Sequence, residues 1–401
     1  MNSEKLIALS DKYGAKNYLP LPIVIAEAEG VWVKDPEGNK YLDCLSSYSA
    51  LNQGHRHKRV IDALVDQAGR CTLTSRAFHN DQLGPFLKLI TEVCGMDMAL
   101  PMNTGAEAVE TAIKAVRKWG YTKKGVPLDQ AEIIVFDDNF HGRTVSVISF
   151  STEDAYKKYF GPFTPGFKAV PYGDIEALKK AVTKNTVAIM GEPIQGEAGV
   201  VEPAAGFYQE VRKVCDENNI VMVADEIQTG LGRTGKMFCM EHYGVKPDMY
   251  ILGKALGAGV LPISAVVSSE EVLGVFTPGE HGSTFGGNPL ACRVAIEAIE
   301  VLRDENLVAN SCDLGKYFMD LLKTIDSPHI ESLRGRGLLI GIVLKESSNG
   351  ARRFCEALKD RGLLCKETHD HVIRFAPPLI ITKEEIDWCF SRIKDVLENV
   401  E

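Results

Sequence analysis

Two residues at the ends of apolar runs carry the most chemical information in this chain. Lys254 follows Met249-Tyr-Ile-Leu-Gly, a run that stops abruptly at a lysine among glycines. Upstream, Ile220-Val-Met-Val-Ala-Asp225-Glu226 ends in acids. Buried strands that end this way bring an amine and a carboxylate into one cleft. Such a pair suits pyridoxal phosphate: the amine condenses with the cofactor's aldehyde, and the acid keeps the pyridine nitrogen protonated. Taken singly, Asp225 also reads as a structural acid or a helix cap, and Lys254 as a lysine snorkelling from a strand end.

A phosphate seat would be a third handle on the same cofactor. Asn103-Thr-Gly-Ala-Glu-Ala108 opens a strongly periodic helix, with Thr104 and Glu107 spaced as a capping box and Gly105 removing a side chain at the entry. The free N–H groups and positive dipole end there favour an anion, although the same residues would cap a helix that binds nothing. In Phe140-His-Gly-Arg143 the aromatic ring can stack on a pyridine, and the arginine can clamp a carboxylate or simply sit on a surface loop. Arg374 stands in an otherwise apolar strand, so it needs a partner, either substrate or an internal acid such as Glu197. Gly230-Leu-Gly-Arg-Thr-Gly235 matches G-x-G-x-x-G, but no long helix opens at its glycines and no second strand ends in a ribose-binding acid. Gly253-Lys254 lacks the upstream glycine of a phosphate-binding loop of the Walker type.

The elements that must position these residues alternate in type. Strands are expected at Glu132–Phe136, Ala169–Tyr172, Val187–Glu192, Ile220–Asp225, Met249–Leu252 and Ile263–Val267, and helices at Ala106–Trp119, Ile175–Val182 and Gly206–Asn218. That alternation predicts an α/β fold with a large, mostly parallel sheet covered by helices. Residues 1–47 read as an arm and a hairpin turning at Asp35-Pro36-Glu37-Gly38. Residues 48–296 form the large domain. Residues 297–401 read as a small α+β domain, with a strand at Gly337–Leu344, a helix at Gly350–Arg361, a strand at His371–Phe375 and a closing helix capped by Thr382 and Glu385.

Composition narrows the function. With 401 residues, 45% hydrophobic and 25% charged, the chain has an ordinary globular balance. A net charge of -9 with no long basic run argues against nucleic acid as a partner. No apolar stretch approaches the ~20 residues a membrane helix needs, and no targeting segment is evident, so a cytoplasmic location is expected. The ten cysteines contain no C-x-x-C pair, which argues against a metal or a disulfide framework.

The chain resembles the class III (ω-) aminotransferases of fold type I, and within them the branch that acts on ornithine. The resemblance runs nearly end to end. It rests on Asn17-Tyr-Leu-Pro-Leu-Pro22, Leu45-Ser-Ser-Tyr-Ser-Ala-Leu-Asn-Gln-Gly-His55, Pro101-Met-Asn-Thr-Gly105, Asn139-Phe-His-Gly-Arg-Thr144, Glu192-Pro-Ile-Gln-Gly-Glu-Ala-Gly199, Ala224-Asp-Glu-Ile-Gln-Thr-Gly230, Leu252-Gly-Lys254, Gly279–Pro289 and Arg374-Phe-Ala-Pro-Pro378. It implies pyridoxal phosphate bound covalently by Lys254, which also carries the proton. It implies Asp225 on the ring nitrogen, Gln228 on the ring hydroxyl oxygen, Phe140 stacked on the ring, and Gly105 and Ala106 on the phosphate. Ser283 and Thr284 would complete the phosphate site from a second subunit, making the active unit at least a homodimer. Tyr18 and Arg143 would hold the α-amino and α-carboxylate ends of L-ornithine, with Tyr48 shaping the pocket. Arg374 would bind 2-oxoglutarate, masked by Glu197 during the first half-reaction. His141, which stands where many relatives have tryptophan, would join the cofactor-binding residues in the wall beside the ring. The alternatives are members acting on N-acetylornithine or 4-aminobutyrate, which Tyr18 and Tyr48 disfavour, and a non-catalytic scaffold.

Overall fold

Seven short runs make the central sheet of the computed structural model, which describes residues 1–400. In chain order they are β1 (Met98–Met102), β2 (Glu132–Phe136), β3 (Phe167–Val170), β4 (Thr186–Gly191), β5 (Val221–Asp225), β6 (Met249–Leu252) and β7 (Ser264–Ser268). Across the sheet their order is β1-β7-β6-β5-β4-β2-β3. The strands from β3 to β6 pair in parallel. β7 is antiparallel to both β6 and β1, so β1 runs with the parallel set.

Every residue of β4 to β7 is buried, as expected of strands covered on both faces. Alternation divides the side chains between two cores. Ile133 and Val135 of β2 join one core with Ala108, Ala112 and Val116 of the helix Gly105–Trp119. Ile134 and Phe136 join the other, with Phe207 and Val211 of the helix Phe207–Asn218. The α/β class and the mostly parallel sheet are as expected.

Several boundaries differ from the sequence reading. β3 covers Phe167–Val170 rather than 169–172, because Pro171 has no N–H for the ladder. β1 was not anticipated. Its Pro101 looks like a strand breaker, but β1 is an edge strand paired only with β7, where a missing donor is tolerated. The arm begins with an exposed helix, Ser3–Tyr13, capped by Asn2. The hairpin Trp32–Lys34 and Lys40–Asp43 forms as expected, with Gly38 at φ 89° and the Asp35 carboxylate accepting from the Asn39 N–H at 2.8 Å.

The last hundred residues contain more than the expected elements. A helix, Leu307–Leu322, starts at Asn306 with no side-chain cap, and a strand, Ile330–Arg336, is only half-buried. Neither carries the local signal that marks its neighbours. That strand joins Leu339–Leu344, Val372–Phe375 and Lys366–Thr368 in a four-stranded antiparallel sheet. The two-residue strand Leu363–Leu364 lies outside that sheet and pairs in parallel with Lys40–Asp43 of the hairpin.

Gly230–Gly235 is a junction, not a nucleotide loop. A short 3₁₀ turn at Cys239–Tyr243 follows it instead of a long helix. Its Arg233 is fully buried and donates to the carbonyls of Leu338 and Pro377 (2.9 and 2.6 Å) and to Asn52 Oδ1 (2.6 Å). Burial among neutral acceptors pushes its pKa down to about 9.

Candidate active site

β1, β2, β4, β5 and β6 end on one edge of the sheet, and the chain leaving each carries polar groups into a single crevice. Open α/β sheets bind ligands outside the carboxyl ends of their strands. Asp225 closes β5, and Lys254 stands two residues past β6. Phe140–Arg143 follows β2, Glu192–Glu197 follows β4, and the helix Gly105–Trp119 follows β1. Gly105, Phe140, His141, Asp225, Gln228 and Lys254 share a cavity of about 160 Å³. An adjoining cavity of about 330 Å³ also borders on Gly105 and Lys254.

The phosphate seat is built as its spacing predicts. Thr104 Oγ1 accepts from the Glu107 N–H at 3.2 Å, and the Glu107 carboxylate accepts from the N–H groups of Thr104 (2.8 Å) and Asn103 (3.0 Å). Gly105 and Ala106 lie in the first turn, where N–H groups have no intrahelical partner, and both line the cavity.

At the other end Asp225 is 3% exposed. One of its oxygens accepts from the Ile227 N–H at 3.1 Å, and the other lies 2.6 Å from His141 Nδ1. A carboxylate has about four acceptor positions, so capacity remains for a pyridinium N–H. Burial disfavours charge on His141, but its contact with Asp225 outweighs this and raises its pKa. The structure thereby places His141 against the acid, rather than leaving it a bystander in the wall.

Lys254 is half-buried and left-handed, with φ 42°. Such a conformation costs a non-glycine residue about 1–3 kcal/mol and persists only where its surroundings impose it. Loss of water lowers the lysine's pKa, and Arg374 adds to this while Glu197, Asp225 and Glu192 oppose it. A depressed pKa raises the neutral fraction, the form that attacks a carbonyl.

A second cluster lies alongside. Arg374 is 1% exposed. It donates through Nη1 to Glu197 Oε1 (2.7 Å), Gln228 Oε1 (3.1 Å) and the Gly196 carbonyl (3.2 Å). Gln228 also donates to Glu197 at 3.1 Å. A Cβ at position 196 would lie 2.2 Å from Gln228 Oε1, so a larger residue there would displace the Gln228 amide from this cluster. Burial opposes charge on Glu197, yet Arg374 and Lys254 hold its pKa down at about 2. The Arg374 guanidinium lies 5.2 Å from the Tyr48 ring centroid. Tyr48 sits in a left-handed run, Ser46–Ser49, steadied by the Asp43 carboxylate, which accepts from the N–H groups of Leu45 and Ser46 (2.8 and 2.9 Å).

The remaining expected residues are less enclosed. Arg143 is exposed, with its guanidinium 4.1 Å from the Tyr156 ring centroid and 5.7 Å from that of Phe140. Tyr18 is 71% exposed and Thr284 is exposed. Ser283 accepts from Asn103 Nδ2 at 2.7 Å. Tyr18, Ser283 and Thr284 do not line the cavity of Lys254 and Asp225.

Sequence reasoning gave no role to Glu192 or Tyr156. Glu192 is buried, lines the cavity and accepts from the Phe140 N–H at 2.9 Å. Burial pushes its pKa up to about 7. It carried the same signal as Asp225, an acid at the end of an apolar run. Tyr156 lies on a single helical turn, Asp154–Lys157, and carried no such signal.

An amine, a carboxylate with spare acceptor capacity and free N–H groups around one cavity fit pyridoxal phosphate at its aldehyde, ring nitrogen and phosphate. The comparisons with known proteins agree. The aminotransferase class-III family matches residues 13–397, and the chain belongs to that family, whose cofactor is pyridoxal phosphate. Within it, the chain is similar to ornithine aminotransferases. It is 63% identical to that of Brevibacillus brevis over 99% of this chain and 98% of the relative. The solved ornithine aminotransferase of Toxoplasma gondii, described with partial occupancy of PLP at its active site, superposes with a TM-score of 0.97 at 45% identity, over 99% of this chain and 94% of that one. The acetylornithine aminotransferase of Elizabethkingia anophelis gives a TM-score of 0.89 at 45% identity, over 99% of both chains.

Proposed function

We propose that the chain transfers the δ-amino group of L-ornithine to 2-oxoglutarate, giving L-glutamate 5-semialdehyde and L-glutamate in two half-reactions. The observation that carries this reading is the Glu197–Arg374 pair at 2.7 Å, set in the crevice that also holds Lys254. One pocket has to accept a diamino acid and then a dicarboxylate. Closed, the pair presents little net charge to ornithine. Opened, it offers Arg374 to the α-carboxylate of the oxo acid.

Bound pyridoxal phosphate supplies an electron sink for the bond that breaks at the amine-bearing carbon. Lys254 would hold the cofactor through its aldehyde carbon, and its Nζ would take and return the proton at the substrate carbon. Asp225, backed by His141, keeps a proton on the ring nitrogen, and Gln228 reaches the ring hydroxyl oxygen. Phe140 covers a ring face, and the Gly105 and Ala106 N–H groups hold the phosphate. Arg143 and Tyr18 take the α-carboxylate and α-amino ends of ornithine, which leaves the δ-amine for the reacting centre, and Tyr48 walls the pocket. Ser283 and Thr284 complete the phosphate site of a second subunit, so the active unit is at least a homodimer. The division at residues 47 and 296 and a cytoplasmic location belong to the same proposal. Among the described residues no helix is long and apolar enough to cross a membrane.

The test is a product assay with L-ornithine, N-acetylornithine and 4-aminobutyrate as rival donors and 2-oxoglutarate as acceptor. Ornithine is expected to give the semialdehyde, trapped as its cyclic imine, at the highest kcat/KM. An α-keto acid as sole product, or a preference for either rival, overturns the assignment. Lys254→Ala is expected to abolish turnover.

A further inference from the structure

Tyr156 is the polar aromatic residue that stands closest to a proposed substrate-binding cation without having a role. Its ring centroid lies 4.1 Å from the Arg143 guanidinium. It also packs edge-on against Phe140, with centroids 6.1 Å apart and planes at 76°. Phe140 is tethered from below, its N–H bonded to the buried Glu192 carboxylate at 2.9 Å. Tyr156 therefore touches both the side chain expected to cover the cofactor and the side chain expected to take the substrate's carboxylate. Its half-buried hydroxyl feels the charges of Arg143 and Glu197. Its helical turn is fixed in place: Glu153 caps it by accepting from the Ala155 N–H at 3.2 Å, and Lys157 reaches the Ser149 carbonyl at 3.4 Å.

Arg143 needs such a support. It follows Gly142, whose φ of 120° is open to glycine alone, and its side chain is exposed. No carboxylate lies within ion-pair distance of it among the described residues, whereas Arg374 is locked by Glu197. Ring faces and the neutral Tyr156 hydroxyl, to which Arg143 also donates, leave the guanidinium charge unneutralised and further donors available to a substrate carboxylate. A carboxylate partner in place of Tyr156 would compete with substrate.

We propose that Tyr156 is a positioning residue that stacks the Arg143 guanidinium in the orientation that receives the α-carboxylate of the amino donor, and so sets selectivity for donors bearing that group. This deepens the functional reading above and rests on its assignment of Arg143. A cation–π contact at an exposed site is worth about 0.5–1 kcal/mol, which corresponds to roughly a two- to fivefold change in binding.

The test compares two probes as competitive inhibitors against L-ornithine in the cofactor-loaded enzyme. One is 5-aminopentanoate, which keeps the carboxylate and the terminal amine. The other is 1,4-diaminobutane, which has the amine without the carboxylate. Tyr156→Leu is expected to raise the KM for ornithine and the inhibition constant of 5-aminopentanoate by about two- to fivefold, leaving that of 1,4-diaminobutane unchanged. Tyr156→Phe, which keeps the ring, is expected to stay close to the parent. Equal weakening of both probes by Tyr156→Leu, or no weakening of either, overturns the proposal. Arg143→Met separates the two levels: it is expected to abolish the preference for the carboxylate-bearing probe. If that preference survives, the assignment of Arg143 itself is wrong. If Arg143→Met abolishes the preference while Tyr156→Leu leaves it intact, only the role of Tyr156 fails.

Discussion

Glu192 shows how a single residue ties the site to stability. Its pKa near 7 lies above the ordinary carboxylate range of about 4.3. The folded protein therefore keeps a proton on Glu192 between roughly pH 4.5 and 7 that the unfolded chain releases. Stability from this group is full below that window and is lost as pH rises through it. Glu192→Gln mimics the protonated form and can still accept from the Phe140 N–H. In cofactor-depleted protein it is expected to match the parent in urea unfolding at pH 5. At pH 8 it is expected to exceed the parent by on the order of 2 kcal/mol. An equal difference at both pH values would show that Glu192 is ionised throughout. Residues of this kind are legible in sequence when a charge ends an apolar run, which is how Asp225 and Lys254 announce themselves. Their partners are not. The contact of His141 with Asp225 spans 84 positions and exists because β2 and β5 both flank β4.

Among the elements, the helix Gly105–Trp119 was legible to within one residue, because its cap, glycine and apolar period agree with one another. Thr104→Ala removes the acceptor for the Glu107 N–H. It is expected to cost about 1 kcal/mol of stability and to weaken retention of the cofactor's phosphate end, read as a faster loss of cofactor absorbance on dialysis; Thr104→Ser is expected to restore both. Unchanged retention alongside lowered stability would mean that the cap serves the helix alone. The left-handed run Ser46–Ser49 was illegible for the opposite reason. Serine and tyrosine do not favour positive φ, and each such residue costs about 1–2 kcal/mol. The Asp43 carboxylate and the packing of Tyr48 beside Arg374 offset that strain, and neither is local in sequence.

At the scale of the whole molecule, the proposed sharing of Ser283 and Thr284 makes a sharp prediction. Lys254→Ala and the double variant Ser283→Ala/Thr284→Ala are each expected to be inactive or severely impaired. Co-expressed, they form hybrid dimers in which one of the two sites has an intact lysine facing an intact Ser–Thr pair. Recovered activity near one quarter of the parent level is the expected result for random pairing of two subunit types. No recovery in purified hybrids would place Ser283 and Thr284 in the site of their own chain, where Ser283 already meets Asn103. The global architecture was legible because alternating strands and helices permit few topologies. The extra C-terminal elements were not, since their signals are tertiary.

The smallest sheet sets a schedule for biosynthesis. Leu42 and Cys44 leave the ribosome long before their partners, yet their N–H groups donate to the carbonyls of Gly362 and Leu364, and the Cys44 carbonyl also accepts from the Ala376 N–H. The nascent hairpin thus waits with one edge bare until residues 363 and 364 have been translated. Closing so long a loop costs only slightly more entropy than closing a moderate one, so the delay burdens kinetics far more than equilibrium. Chains stalled or clipped before Leu363 would keep that edge open to aggregation, which makes a distant two-residue strand the seal on the hairpin.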